Sequence, residues 1–477
     1  MADYVIRGAA IVSVDPEIGN LSCGDILVKG DRIVAVGPDL AVEDAEVIDG
    51  SRMIAMPGLV NAHNHLWQTV IRGIGSNFAG SDYFNYLHAG AAPRFTPEDI
   101  LYSEMAGGLA SIDSGTTTVF DWCHNNPTPE HSDAAIDGLQ ASGVRALFGH
   151  GTVKPKPKPG EPHFSEIPHP RAHIERLRKG RLASDDALVT LAMCVLGPDY
   201  ATLDVCRQDF ALAKEMGLIS SAHVWGRRNR LNPGGYLDLL KEGLLPAGHN
   251  AVHANYIPDE EIRALVEAGC TITATPPVEL RGHGVPPLIG RVAAQGGRPS
   301  VANDTEVGVG GDMFSTLRLS LQADRFYRNV QTQRELEEGT NPAAAAFEAE
   351  NLKTIGTGGG VYQKEYITTG EALKWATINN AAVLGMEHRI GSLTPGKKAD
   401  IVLLRRDDWN LSPALNPENA VAMFAHPGNV DTVLIDGEIR KRHGKLIDSA
   451  AEARALSEIR SRGPRLMADA GYPDIAW

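Results

Sequence analysis

Apolar residues arrive in short runs separated by polar turns, and the style of the runs changes twice along the chain. Residues 4–12, 25–28 and 32–36 are brief apolar stretches, the last two joined by Lys29-Gly30-Asp31, which predicts strands and a hairpin. After Pro57 the apolar runs 60–63, 116–120, 144–148, 188–195, 219–223, 251–253, 271–275 and 300–304 alternate with amphipathic stretches such as 97–114, 132–141, 203–215 and 259–268. The latter carry Glu or Asp near their starts and Gly at several ends, as helices do. Strand alternating with helix is the rhythm of a parallel sheet, and eight strand candidates are the number that closes a (β/α)8 barrel. Beyond Gly385 short strands return at 401–404, 430–435 and 438–441. Each flanking β segment alone would bury little core, so the two are expected to join. The predicted fold is α/β: a (β/α)8 TIM barrel interrupting a composite β-sandwich built from both termini. Its expected parts are 1–56 and 386–450 for the sandwich, 57–385 for the barrel and 451–477 for a C-terminal helical tail.

Two stretches break this rhythm. Lys154-Pro155-Lys156-Pro157-Lys158-Pro159-Gly160 follows the third barrel strand and is too proline-rich for an element interior. It is expected to be a plain surface loop, with a lid as the alternative. The insertion 306–368 contains a helical piece at 341–352 and a glycine-rich one at 356–360, and is expected to cover the site or to form a subunit contact.

Charge and cysteine usage narrow the partners. Lys and Arg number 45 against 59 Asp and Glu, and the net charge of −14 argues against nucleic acid, whose phosphates need cations. The five cysteines are scattered and never spaced as CxxC, which fits neither a disulfide framework nor a thiolate zinc site and points to a reducing cytoplasm. Asp3 and Arg7 interrupt any signal-peptide core, and no apolar run approaches about 18 residues, so neither secretion nor membrane spanning is expected.

His63-Asn64-His65 ends the first predicted barrel strand. Residues i and i+2 of a strand project to the same side, so both imidazoles face one point, a geometry suited to a divalent metal. Such a pair also occurs on ordinary sheet faces. Position adds weight: His223, His253 and Asp304 also stand at the C-terminal ends of predicted strands, the face on which barrel enzymes build their sites.

With these residues the chain resembles the amidohydrolase superfamily, in the branch of triazine hydrolases and cytosine and guanine deaminases. The resemblance covers almost the whole chain. It rests on Met56-Pro57-Gly58-Leu59-Val60-Asn61-Ala62-His63-Asn64-His65, on Ser114-Gly115-Thr116-Thr117-Thr118, on the strand-end residues, and on Gly391-Ser392-Leu393-Thr394-Pro395-Gly396-Lys397-Lys398-Ala399-Asp400-Ile401. It implies a metal-dependent hydrolase acting on a carbon–nitrogen bond other than a peptide bond. His63, His65, His223 and Asp304 would hold the metal, and His253 would polarise the substrate or relay a proton beside it. Three imidazoles and a carboxylate suit zinc, with iron using the same donors, and Asp304 would take a proton from water. Similar enzymes that hold two metals bridge them with a lysine on the fourth strand. Residues 188–195 contain none, so one divalent ion is expected.

Departures from the family pattern bear on the substrate. Deaminases of this branch carry a glutamate three residues after the fifth-strand histidine, whereas His223-Val224-Trp225-Gly226 has Gly226 there. The seventh strand reads Thr273-Ala274-Thr275-Pro276, without the histidine common before Cys-Pro. An amide, urea or carbamate bond in a small, aromatic or heterocyclic molecule is therefore the expected target, with deamination or dechlorination of a heterocycle, Glu306 serving as the acid, as the alternative. Candidates for protonating the leaving nitrogen are His253, then Glu306, then Glu279, with His283 also near the catalytic face. For Glu279, His283 and Glu306 taken singly, a solvated loop charge is the plainer expectation. Trp67, Gln68, Trp122, His124 and Trp225 are expected to wall a substrate pocket, although each alone is as readily ordinary packing. A non-catalytic scaffold of this fold would lose metal-ligand positions, and all four are filled here. A small-molecule substrate and a homo-oligomer complete the expectation.

Overall fold

The computed structural model describes residues 3–226, 230–355 and 367–472. Five strands come first: β1 (Tyr4–Val12), β2 (Asn20–Lys29), β3 (Arg32–Gly37), β4 (Glu46–Asp49) and β5 (Met53–Pro57). Eight more follow as β6 (Leu59–Asn64), β7 (Thr116–Cys123), β8 (Arg145–Gly151), β9 (Val189–Cys194), β10 (Ser220–Val224), β11 (Asn250–His253), β12 (Thr271–Ala274) and β13 (Ser300–Val301). These eight pair side by side in chain order, all parallel. Every residue of β6 to β9 is buried, as befits strands covered by helices outside and filled by side chains within. The helix Pro97–Asp113 shows how the local sequence sets the covering layer: Pro97 occupies its first turn, and Thr96 and Asp99 exchange the two bonds of a capping box.

The last strand is short, and the barrel closes mainly through side chains. Asn380, fully buried, donates from Nδ2 to the carbonyls of Val60 on β6 (2.6 Å) and Val301 on β13 (2.7 Å). Its Oδ1 accepts from the Val301 N–H (3.2 Å) and the Ser300 hydroxyl (2.7 Å). Beyond β13 the chain returns to β6 by a single parallel bridge between Asn64 and Asp304. There the Asp304 N–H donates to the His63 carbonyl (3.2 Å) and the His65 N–H to the Asp304 carbonyl (3.0 Å).

After the barrel come β14 (Ile401–Arg405), β15 (Val430–Ile435), β16 (Glu438–Arg442) and β17 (Lys445–Leu446). They join the first five in a nine-stranded sheet ordered β17-β16-β15-β14-β5-β1-β2-β3, with β4 beside β1. The seam is β5 against β14, antiparallel, Pro57 opposite Ile401. Ile6, Ile11 and Ile26 from the first segment share one core with Ile401, Leu403 and Leu434 from the second. Arg145 at the start of β8 ties this sheet to the barrel. Its buried guanidinium bonds Asp400 at 2.8 and 3.0 Å and also reaches Asp436.

Some elements differ from the sequence expectation. The run 300–304 pairs as a regular strand only at Ser300–Val301, because Asp304 turns into the closing seam with φ +72°. The insertion opens with an unexpected helix, Met313–Glu337, whose buried residues end at Asp324, so the apolar period fades over its exposed half. The helix expected at 341–352 is Pro342–Ile355, and the glycine-rich piece 356–360 lies outside the described residues. Between β6 and Pro97 the chain forms helical turns at Leu66–Ile71 and Tyr83–Ala91 that no periodicity announced. The helix Ser449–Asp469 docks on Pro97–Asp113, with Arg462 and Arg465 both on Asp99 at 2.9 and 2.6 Å. Among the described residues no helix is long and apolar enough to cross a membrane.

Asn380→Ala would remove the side-chain bonds to two carbonyls and an N–H at the closing seam and leave the Ser300 hydroxyl only its bond to Thr273. A loss of about 3 kcal/mol or more is expected in urea unfolding of the full chain, against under about 1 kcal/mol for Lys374→Ala at an exposed position.

Candidate active site

His63 and His65 leave β6 on one side, with ring centroids 4.7 Å apart. The Nε2 of His223, from β10, lies 3.3 Å from Nε2 of His65. Asp304 Oδ1 sits 3.1 Å from His63 Nε2 and 3.2 Å from His65 Nε2. One donor atom each from His63, His223, His253 and Asp304 falls within 4.8 Å of the others. Burial pushes the His63 pKa down to about 4 and takes His223 well below its ordinary value, the neighbouring imidazoles adding to the effect. Burial works the other way on Asp304, but its bonds to His63 and His65 hold it well below the usual carboxylate range. Neutral imidazoles around an ionised carboxylate are the charge state that a divalent metal requires, and these residues fit one. The Nδ1 of His65 bonds the Trp122 carbonyl at 2.6 Å, which puts the proton there and leaves the Nε2 lone pair facing the centre.

His253 differs from its neighbours. Its Nδ1 lies 2.9 Å from the Thr275 hydroxyl and 3.5 Å from Glu279 Oε1. Burial disfavours its charge, yet Glu279 and Asp304 overcome that penalty and raise its pKa. His253 and Asp304 both have φ near +70° (73° and 72°), a region L residues seldom adopt, and Ala254 follows at 50°. The Ala254 N–H, bonded to Val224 on β10 at 2.7 Å, and the seam bonds of Asp304 hold these turns.

The centre opens into a cavity of about 640 Å³. Phe78, Tyr83, Phe84, Tyr200 and Trp225 supply aromatic wall, with His88 and His124 on one side. The Trp67 indole N–H donates to His124 Nδ1 (2.9 Å), so His124 turns its Nε2 toward that of His88 at 3.4 Å. Burial keeps both imidazoles neutral.

The amidohydrolase family profile matches residues 54–440, from the seam strand β5 through the barrel to β16. The chain belongs to the amidohydrolase family. As such it is an enzyme that hydrolyses carbon–nitrogen bonds. It is 27% identical over 463 residues to a 5-methylthioadenosine/S-adenosylhomocysteine deaminase of Carboxydothermus hydrogenoformans, covering 93% of this chain and 94% of that protein. Two solved structures share the fold. One is an atrazine chlorohydrolase of Arthrobacter aurescens complexed with zinc: TM-score 0.78, 21% identity, coverage of 97% of this chain and 100% of that one. The other is an adenosine deaminase of Xanthomonas campestris with bound zinc: TM-score 0.77, 19% identity, coverage of 98% and 99%.

In this amidohydrolase the residues singled out from sequence divide into two groups. His65, His124, His223, Trp225, His253, His283 and Asp304 line the cavity, and His63 lies just beneath it. Trp67, Gln68 and Trp122 do not: Trp67 and Gln68 lie in the helical turn after β6, which takes them into the core, and Trp122, still within β7, is buried beneath the wall with its ring centroid 4.3 Å from that of His223. Glu306 also stands off the cavity wall. Arg72 holds its Oε2 at 2.6 Å, Thr69 adds a bond at 3.1 Å, and the carboxylate does not line the cavity. Glu279 is buried beneath His253 and accepts the Thr275 N–H at 2.7 Å, so it is neither a solvated charge nor a cavity contact. Tyr83, His88 and Lys154 line the cavity and went unread. None ends a strand; Lys154 opens the proline-rich run expected as a surface loop, and residues 155–160 of that run are exposed, while Lys154 itself is half-buried and lines the cavity.

Protein purified with zinc in the medium should carry one ion per chain by elemental analysis. His65→Ala, His223→Ala and Asp304→Asn should each weaken zinc binding by about 100-fold or more in competition with a chromophoric chelator.

Proposed function

We propose that this chain binds a single divalent ion through His63, His65, His223 and Asp304 and hydrolyses an amide-type carbon–nitrogen bond in a small aromatic or heteroaromatic molecule. The observation that carries the reading is the grip of Thr275 and Glu279 on one histidine of the five-residue centre. It keeps a proton on His253 Nδ1 and favours the imidazolium, while His63 and His223 stay neutral and fit to ligate. Zinc suits the donor set best, ferrous iron uses the same donors, and β9 offers no lysine to bridge a second ion.

A bound ion would act as a Lewis acid toward the substrate carbonyl and lower the pKa of water at the centre. The protein's own groups do the rest. His253 donates a hydrogen bond to the carbonyl oxygen as negative charge develops there, with Glu279 stabilising the imidazolium through Thr275. Asp304 accepts a proton from the attacking water and, with His253, delivers one to the leaving nitrogen. Trp225 and Tyr83 flank the ring of the substrate and exclude water.

Gly226 supports an amide over an aminoheterocycle. Its φ is +72°, and a Cβ there would lie 2.2 Å from Ile257 Cγ2, so the backbone has no room for the glutamate that similar deaminases carry at this position. The Gly226 N–H instead donates to Asp199 at 2.8 Å. A second reading, deamination or dechlorination of a heterocycle, is favoured by the names of the relatives, with His283 on the cavity wall in place of that glutamate. The five free thiols agree with a reducing cytoplasm, and exposed Phe326 and Leu352 on the insertion helices agree with a homo-oligomer.

Zinc-loaded protein should turn over members of a panel of aromatic amides, ureas and carbamates. Rapid release of ammonia from aminopurines or aminotriazines, with no turnover of that panel, would establish the second reading instead. The protonated form of His253 is present below its raised pKa and lost as pH rises through it. Glu279→Gln removes the charge that raises it, so the alkaline limb of kcat/KM should move to lower pH.

A further inference from the structure

The cavity has an electrostatic bias opposite to that of the chain. The chain carries a net charge of −14, yet among the described residues Asp304 is the one carboxylate that lines the cavity, and it belongs to the metal-ligand set. Two cations line it, Lys154 and Arg281. Arg281 is exposed, and its guanidinium donates to the Phe78 carbonyl at 2.8 Å. Lys154 stands half-buried, three residues past the end of β8, with its ammonium 4.2 Å from the centre of the Tyr200 ring. No charged group offsets its burial, which lowers its pKa to about 8 and so leaves it protonated at neutral pH. Its charge bears on His88, His124, His223 and His253, which places it over the same chamber as the metal ligands. Pro155 and Pro157 restrict the backbone that presents it.

A cation in this position is costly for a neutral substrate. Filling the cavity would strip water from the ammonium and leave only the Tyr200 face to replace it. An anion on the substrate would supply a charge-assisted bond instead. We propose that Lys154 is a specificity-determining residue that receives a carboxylate carried by the substrate, so that the preferred substrates are amides of anionic aromatic or heteroaromatic compounds. This rests on the metal-hydrolase reading above.

The test uses the full-length, zinc-loaded protein and three chelating probes: benzohydroxamate, 3-carboxybenzohydroxamate and 4-carboxybenzohydroxamate. The hydroxamate anchors each on the metal, and calorimetry reads what the added carboxylate contributes. At least one carboxylated isomer should bind wild type about tenfold or more tighter than the parent, with the advantage shrinking as salt is raised. That advantage should vanish in Lys154→Met and persist in Lys154→Arg, which a folding defect would not produce. Equal binding of all three probes by wild type, or an advantage that survives Lys154→Met, overturns the proposal alone. Failure of benzohydroxamate itself to bind overturns the metal-site reading and this proposal with it.

Discussion

The eighth barrel strand has to meet the first, and that closure is what the rest of the site depends on. A two-residue strand offers little backbone ladder, so Asn380 supplies the missing donors and acceptors from its side chain. Asp304 then completes the circle by bonding the backbone of His63 and His65. The same three residues that close the ring bring a carboxylate against two imidazoles. Architecture and chemistry are thus one constraint: whatever opens the seam also separates Asp304 from His63 and His65. The left-handed backbone at His253 and Asp304 belongs to the same arrangement, since a chain continuing straight would carry both side chains past the centre.

Within that centre, closely packed ionisable groups need different protonation states, and burial alone would make His63, His223 and His253 neutral. The structure separates them by what stands behind each ring. A backbone carbonyl behind His65 fixes its proton without adding charge, whereas Glu279 and Thr275 behind His253 favour a second proton. Division of labour among identical side chains is therefore set one layer away from the reacting atoms. Glu279 acts through His253, as a positioning residue.

Much of this was legible in the sequence, for physical reasons. Period-two geometry makes His63 and His65 point together, and strand-terminal placement gathers His223, His253 and Asp304 on one face. What resisted reading were groups whose position depends on irregular backbone. Trp67 and Gln68 sit just past the end of β6, where a single helical turn decides whether a side chain enters the cavity or the core, and here they enter the core, while Trp122, on the last turn of pleat in β7, packs under the site imidazoles rather than on the cavity wall. Glu306 lies two residues from Asp304 yet is claimed by Arg72, a partner 234 positions away that no local pattern reveals. Tyr83 and His88 come from a helical run without a clear apolar stripe, and Lys154 from a proline-rich loop whose composition suggested solvent.

The seam between β5 and β14 bears on how the molecule is made. Residues 53–57 leave the ribosome long before residues 401–405, and apart from brief contact with β1 at Ile54 and Ala55 their principal neighbour does not yet exist. During synthesis the amino-terminal half-sheet therefore presents an open, apolar edge, the kind of surface on which nascent chains associate wrongly. A chain cut short anywhere before β14 would keep that edge permanently. Biogenesis of this enzyme accordingly depends on finishing the polypeptide, and chaperone shelter matters most during the interval when the barrel is emerging.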